Sequence, residues 1–291
     1  MAVNGILEAR DLEAIDKVIY RAPEEELVAR QLFNIKSDVP EYMETYGYNV
    51  MTRSGVAKII ADNTDDLPMI DADMTRYHQP IFTIGGGVKY SDRELSQARA
   101  MGMNLDAEKA DTVRRAIAEK ENKMAFIGDA SVGLKGLTNA VGIKVEAAAA
   151  TWAESTPEEI VEQIRVARSR ITVIPGYSNA PLNLVIAANQ YELLNKRYNQ
   201  YEPKTILELI RGYGWFEEIK SLTDLLGVGT GGTNSFMVYE NTSRTAELLI
   251  PRDITRHAEE RRYPGVRVPF DSRIGGLIIR TPYAIIRVDG I

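Results

Sequence analysis

One stretch constrains this chain more than any other: the run from Tyr90 to Val141, a long helical pattern closed by a glycine-studded phrase. Ser91 is placed as an N-cap, and Glu94 three residues on can reach back to the Ser91 N–H in a capping box. The pattern breaks at Met101-Gly-Met-Asn104 and restarts at Leu105, with Asp106 as a second cap. Ala110, Val113, Ile117, Met124 and Ile127 then recur at helical spacing. Arg114, Arg115, Lys120, Glu121 and Lys123 fill the charged back. At 1.5 Å per residue this second piece is roughly 30 Å long, enough to strut a whole domain. Gly128 ends it.

Around this strut the chain falls into unlike parts. Arg10–Tyr20 reads as a short helix with Leu12, Ile15 and Ile19 on one face, and a second amphipathic turn runs from Leu27 to Leu32. Neither holds a core alone, so both are expected to lean on the body or on a neighbour. From Glu44 to Ile60, and again from Tyr77 to Tyr90, the pattern predicts the two strands of a long hairpin. The acidic, turn-prone segment Ala61–Asp73 lies between them and carries too few apolar residues for a core. The hairpin is therefore expected to project, with Gly85, Gly86 and Gly87 as a flexible return.

Beyond the strut, Thr156-Pro-Glu-Glu159 caps a helix whose stripe is Ile160, Ile164, Ala167 and Ile171. Leu182–Ala188 reads as a buried strand, Tyr191–Tyr198 and Pro203–Ile210 as helices. Glu217–Leu222, Ser235–Glu240, Ala246–Ile250, Val266–Phe270 and Gly276–Val288 read as strands. The sum is an α+β chain without an internal repeat. Its 291 residues, 44% hydrophobic and 26% charged, suffice for a real core. With no cysteine, disulfides and thiolate sites are out. A net charge of −6 with interspersed signs argues against a basic arm that condenses nucleic acid. Met1–Arg10 lacks the pattern of an export signal and no apolar run is long enough to span a bilayer, so a soluble protein with no membrane partner is expected.

No catalytic, cofactor-binding or metal residues can be assigned. Gly227-Val-Gly-Thr-Gly-Gly-Thr233 lacks the lysine and following helix of a phosphate loop and reads as a mobile connection between strands; Gly128–Gly133 follows its helix instead of preceding one. His78 and His257 are expected at solvated or ion-paired surface positions. Asp62, Asp65, Asp66, Asp71 and Asp73 lack the spacing of a calcium loop and suit basic residues on a neighbouring subunit better.

The phrase Gly128-Asp-Ala-Ser-Val-Gly-Leu-Lys-Gly-Leu-Thr-Asn139, placed after hairpin and strut, resembles the major capsid proteins of tailed bacteriophages, whose Hong Kong 97-like fold is shared with encapsulin shells. Gly55-Val-Ala-Lys-Ile-Ile-Ala-Asp62, Asp66-Leu-Pro68, Tyr90–Ala98 and Leu105–Ala110 carry the same resemblance. It implies an N-terminal arm (1–43), an extended loop (44–89), a peripheral domain with its spine helix (90–150), an axial domain (151–256) and closing peripheral strands (257–291). It implies a non-enzymatic shell subunit that meets its own copies in pentamers and hexamers, with scaffolding, portal and decoration proteins as further partners. Packaged DNA would be enclosed without specific binding, in a virion assembled in the host cytoplasm. An encapsulin-type compartment is the alternative within the fold, and a soluble α+β enzyme the alternative outside it. With about forty residues ahead of the hairpin, a cleaved scaffolding segment is not expected. Some relatives join an extended-loop lysine to an asparagine; Lys58 could serve, but no asparagine follows Asn241, and no crosslink is expected.

Overall fold

The computed structural model describes residues 27–54, 71–101 and 105–291. The helix expected over Arg10–Tyr20, Lys58, and the acids Asp62, Asp65 and Asp66 lie outside them. The described chain begins with a single turn, α1 (Ala29–Leu32), and a short strand, β1 (Asn34–Lys36). A ten-residue strand β2 (Thr45–Ser54) pairs antiparallel with β3 (Asp71–Pro80), Thr45 opposite Pro80 and Ser54 opposite Asp71.

β4 (Phe82–Ser91) follows at once and leaves the hairpin. This differs from the expected pairing, in which Tyr77–Tyr90 formed the return strand. The return is Asp71–Pro80, whose side chains are almost all exposed and so carry no alternation to read. The three glycines sit inside β4 and are not a flexible return.

α2 (Asp92–Met101) opens with the expected capping box: Glu94 N donates to Ser91 Oγ at 3.1 Å and Ser91 N to Glu94 Oε2 at 3.0 Å. α3 (Leu105–Phe126), of 22 residues, is the spine, about 33 Å long. β5 (Gly128–Asp129) and β6 (Leu134–Lys135) pair beyond its end, and β7 (Lys144–Ala147) follows. α4 (Pro157–Thr172) carries the second capping box, between Thr156 and Glu159. Then come β8 (Leu182–Ala187), α5 (Ala188–Tyr191), α6 (Ile206–Gly212, capped by Thr205 and so starting later than Pro203) and β9 (Glu218–Leu222). The last strands are β10 (Ser235–Glu240), β11 (Ala246–Leu249), β12 (Arg252–Arg256), β13 (Glu260–Arg262), β14 (Gly265–Ile274), β15 (Gly276–Ile279) and β16 (Ile285–Asp289).

A five-stranded mixed sheet, ordered β7-β16-β10-β8-β9, joins two cores. Its central strands β8 and β10 are buried along their whole length, so both faces must be covered. On one face Leu184, Ile186, Phe236 and Val238 pack under α4 and α6 with Trp152. On the other, Val185, Met237 and Tyr239 meet the end of the spine helix and α1. The closing segment therefore divides: β14 pairs along its full length with β4 beneath the spine helix, whereas β16 crosses into the five-stranded sheet. β12 and β13 pair with successive halves of β14, and β1, β11 and β15 form a third sheet.

Candidate assembly surfaces

The hairpin is fastened at its root and bare beyond it. Tyr46, Tyr48 and Tyr77 stack in a ladder, with centroids 6.2 and 5.6 Å apart. Tyr48 Oη donates to the Ile279 carbonyl at 3.3 Å, Arg280 lies over its ring, and Gln79 Nε2 reaches the Gly275 carbonyl at 2.6 Å. Tyr46 and Tyr48 thus serve the chain's own root, half-buried against Val39, Ile81, Leu249 and Ile278. Tyr77 stays largely open. Farther out, Met51 and Met74 face each other across the ladder at 50% and 65% exposure. A two-stranded ribbon with no covering layer has little stability in water.

The arm enters the body through two polar residues of the spine helix. Asn122 Oδ1 accepts from Val28 N and Ala29 N, at 3.2 and 3.0 Å, and its amide donates to Asp224 Oδ2 at 3.0 Å. Glu121, only 2% exposed, receives Arg30 in a two-point contact of 2.5 and 2.9 Å, and Arg30 also reaches Asp253 at 2.7 Å. Periodicity had set Glu121 on the charged back. It is buried because its partner arrives from 91 residues away, which no local pattern records. Arg30's own titration is pushed up by its hydrogen bonds to Glu121 and Asp253.

The glycine phrase is a knot that terminates the spine. Gly128 takes a left-handed φ of +82°, the conformation that ends helices. Thr138 Oγ1 then donates to the Phe126 carbonyl and Asn139 Nδ2 to the Ile127 carbonyl, each at 2.8 Å, satisfying acceptors the helix leaves open. Asp129 accepts from Ser131 and from Lys120 Nζ at 2.5 Å; Lys120 and then Ser131 hold its carboxyl down to about 2.

The other candidates stay apart. His78 is on the exposed face of β3, and His257 Nε2 sits 2.8 Å from Asp271, which Arg252 also contacts at 2.6 Å. The Gly227–Thr233 loop runs into strand β10 and is tied down, not loose: Thr230 donates twice to Asp289 Oδ2 at 2.9 Å. Asp289 also accepts from Ser235 and Arg287, both at 2.8 Å. Asp71 and Asp73 lie exposed on β3. Among the described residues, no three His, Asp or Glu side chains converge as metal ligands would, and no helix is long and apolar enough to cross a membrane.

What this architecture offers is surface: a bare ribbon, a strut and a pinned arm. Residues 55–291 match the family model for the major capsid protein. The chain belongs to the major capsid protein family. The fold of this capsid protein is similar to the capsid of Myoviridae phage XM1, with a TM-score of 0.83 and 19% identity over 99% of this chain and 100% of that one. It is similar to a structure from Mycobacterium phage Bobi (TM-score 0.67, 14% identity, 96% and 95% covered) and to a virus-like particle from Pyrococcus furiosus (0.56, 16%, 89% and 91%). The capsid protein thus has the Hong Kong 97-like fold, and its role is structural: it associates with its own copies as the shell of a virion.

Proposed function

We propose that many copies of this chain close into the icosahedral shell of a tailed double-stranded DNA bacteriophage, as pentamers and hexamers. The hairpin of one subunit would lie over the spine helix of the next. The observation that carries this is the ribbon of β2 and β3, which beyond its tyrosine root leaves β3 exposed residue after residue, with Met51 and Met74 open on it. Repeating one such contact around closed rings multiplies a modest energy. The lobe at 151–256 would be axial, and the spine with β4 and β14 peripheral. A net charge of −6 suits a wall against which DNA is packed without being bound. Scaffolding, portal and decoration proteins would be its partners, and the host cytoplasm its place of assembly; the chain would do no catalysis. An encapsulin-type compartment is the second reading within the fold, disfavoured by the greater likeness to the XM1 capsid than to the Pyrococcus furiosus virus-like particle.

The hairpin supplies the test. Met51→Lys with Met74→Asp changes two exposed side chains that face each other into an opposite-charge pair, so the subunit should keep its stability within about 0.5 kcal/mol. Large particles should vanish from its sedimentation profile. Shells formed at the unsubstituted yield would contradict the proposal.

A further inference from the structure

A trough runs between the spine helix and β4, about 470 Å³ in volume and mostly apolar, with Gly85, Gly86 and Gly87 as its floor and Thr112, Val113 and Ala116 as its wall. Three consecutive glycines weaken a strand; side chains at 85 and 87 would press on the Phe270 and Val268 carbonyls of the neighbouring β14, at 3.2 and 3.4 Å. Here a side chain at position 86 would meet Val113 Cγ1 at 3.2 Å and begin to close the trough. Within the described chain nothing fills it.

We propose that the trough seats this chain's own N-terminal segment, with Leu12, Ile15 and Ile19 laid into it. Where the described chain begins decides the occupant. Leu27 lines a cleft with Glu119 and Lys123 of the spine helix, and its neighbour Val28 is pinned to Asn122. Thr112, Ala116, Glu119 and Lys123 follow at intervals of four, three and four, so one stripe of the helix leads from the arm's entry to the trough. The distance along the helix is about 10 Å. Residues 20–26 can span up to roughly 24 Å, which is ample. A helical Leu12–Ile19 is about 12 Å long, against about 10 Å for three strand residues, and its three apolar side chains present one face to an apolar floor. A neighbour's hairpin would then meet the spine outside the filled trough.

The absence of cysteine makes the test clean. Ala116→Cys is combined in turn with Leu12→Cys, Ile15→Cys and Ile19→Cys in the full-length protein, oxidised mildly and run on a non-reducing gel. A disulfide needs Cα atoms within about 7 Å. The expected result is a compacted single chain for at least one pair, in most molecules. Ile15→Cys with the distant Tyr201→Cys and Met74→Cys with Ala116→Cys should stay unlinked. Chain-to-chain dimers from the arm pairs, linkage of Met74 to Ala116, linkage of Ile15 to Tyr201, or no linkage of any arm pair would each overturn the proposal. Independently, replacing Leu12, Ile15 and Ile19 together by Asp should speed amide exchange at residues 113–117 at least tenfold; unchanged exchange would overturn it too. Because the link forms within one chain, it succeeds or fails separately from shell formation.

Discussion

Gly128→Ala is expected to cost roughly 2–6 kcal/mol, a large part of the stability of an ordinary domain. A left-handed backbone costs a residue with a side chain about 1–3 kcal/mol. The space is also taken: a methyl group there would lie 2.7 Å from Gly136 N and 2.8 Å from the Lys135 carbonyl carbon, and closer still to the Leu134 carbonyl oxygen. These are backbone atoms of the knot and cannot rotate away, so overpacking adds a further 1–3 kcal/mol or so. Gly133→Ala is the control. Its φ is +70° but nothing lies within 4 Å of the added carbon, so only the strain, about 1 kcal/mol, should appear. Denaturant midpoints of the two variants check the difference; equal losses would place the cost in the glycine backbone and not in the knot.

Asp289→Ala is expected to cost about 3 kcal/mol or more. The carboxylate is 5% exposed at the side chain and holds Arg287, Thr230 and Ser235 together. Removing it strands the Arg287 guanidinium, itself only 13% exposed, with the Thr138 carbonyl as its one remaining partner among the described residues. Burial alone would raise the Asp289 titration, but the hydrogen bonds from Arg287, Thr230 and Ser235 outweigh it, and the net shift is downward. A lowered carboxylate contributes stability that is complete above the unfolded value near 4 and is lost as pH falls through the folded one. The stability difference between parent and Asp289→Ala should therefore be constant from about pH 5 to neutrality and shrink below pH 4. A difference that instead grew on acidification would contradict this assignment.

The parts of the fold legible in the sequence are those fixed by neighbours along the chain. Both capping boxes act within three residues, and each formed as Ser91–Glu94 and Thr156–Glu159. Ser235–Glu240 was readable because a strand buried on both faces is a continuous run between turn residues. The partner of β4 was not readable, because β14 lies some 180 residues away and no turn fixes that register. The exposed return strand of the hairpin gave no signal for a related reason: pattern records burial, and it has almost none. Arg30, Glu121, Asn122 and Asp224 form a polar junction assembled from three regions of the chain. Only a buried acid and amide inside an otherwise apolar helix face could have hinted at it. The capsid resemblance rested on the order of several short phrases, and the structure gives the glycine-rich one a physical task, the ending of the spine helix by Thr138 and Asn139.

The central claim is that the bare hairpin is half of a contact between copies. Cryo-electron microscopy of the full-length protein purified after expression alone, and of native particles, tests it most directly. The account predicts closed icosahedral shells, DNA-filled in the native particle, with residues 44–80 of each subunit lying across the spine helix of the next. A discrete monomer or dimer under every assembly condition, or shells in which that hairpin touches only its own chain, would contradict it.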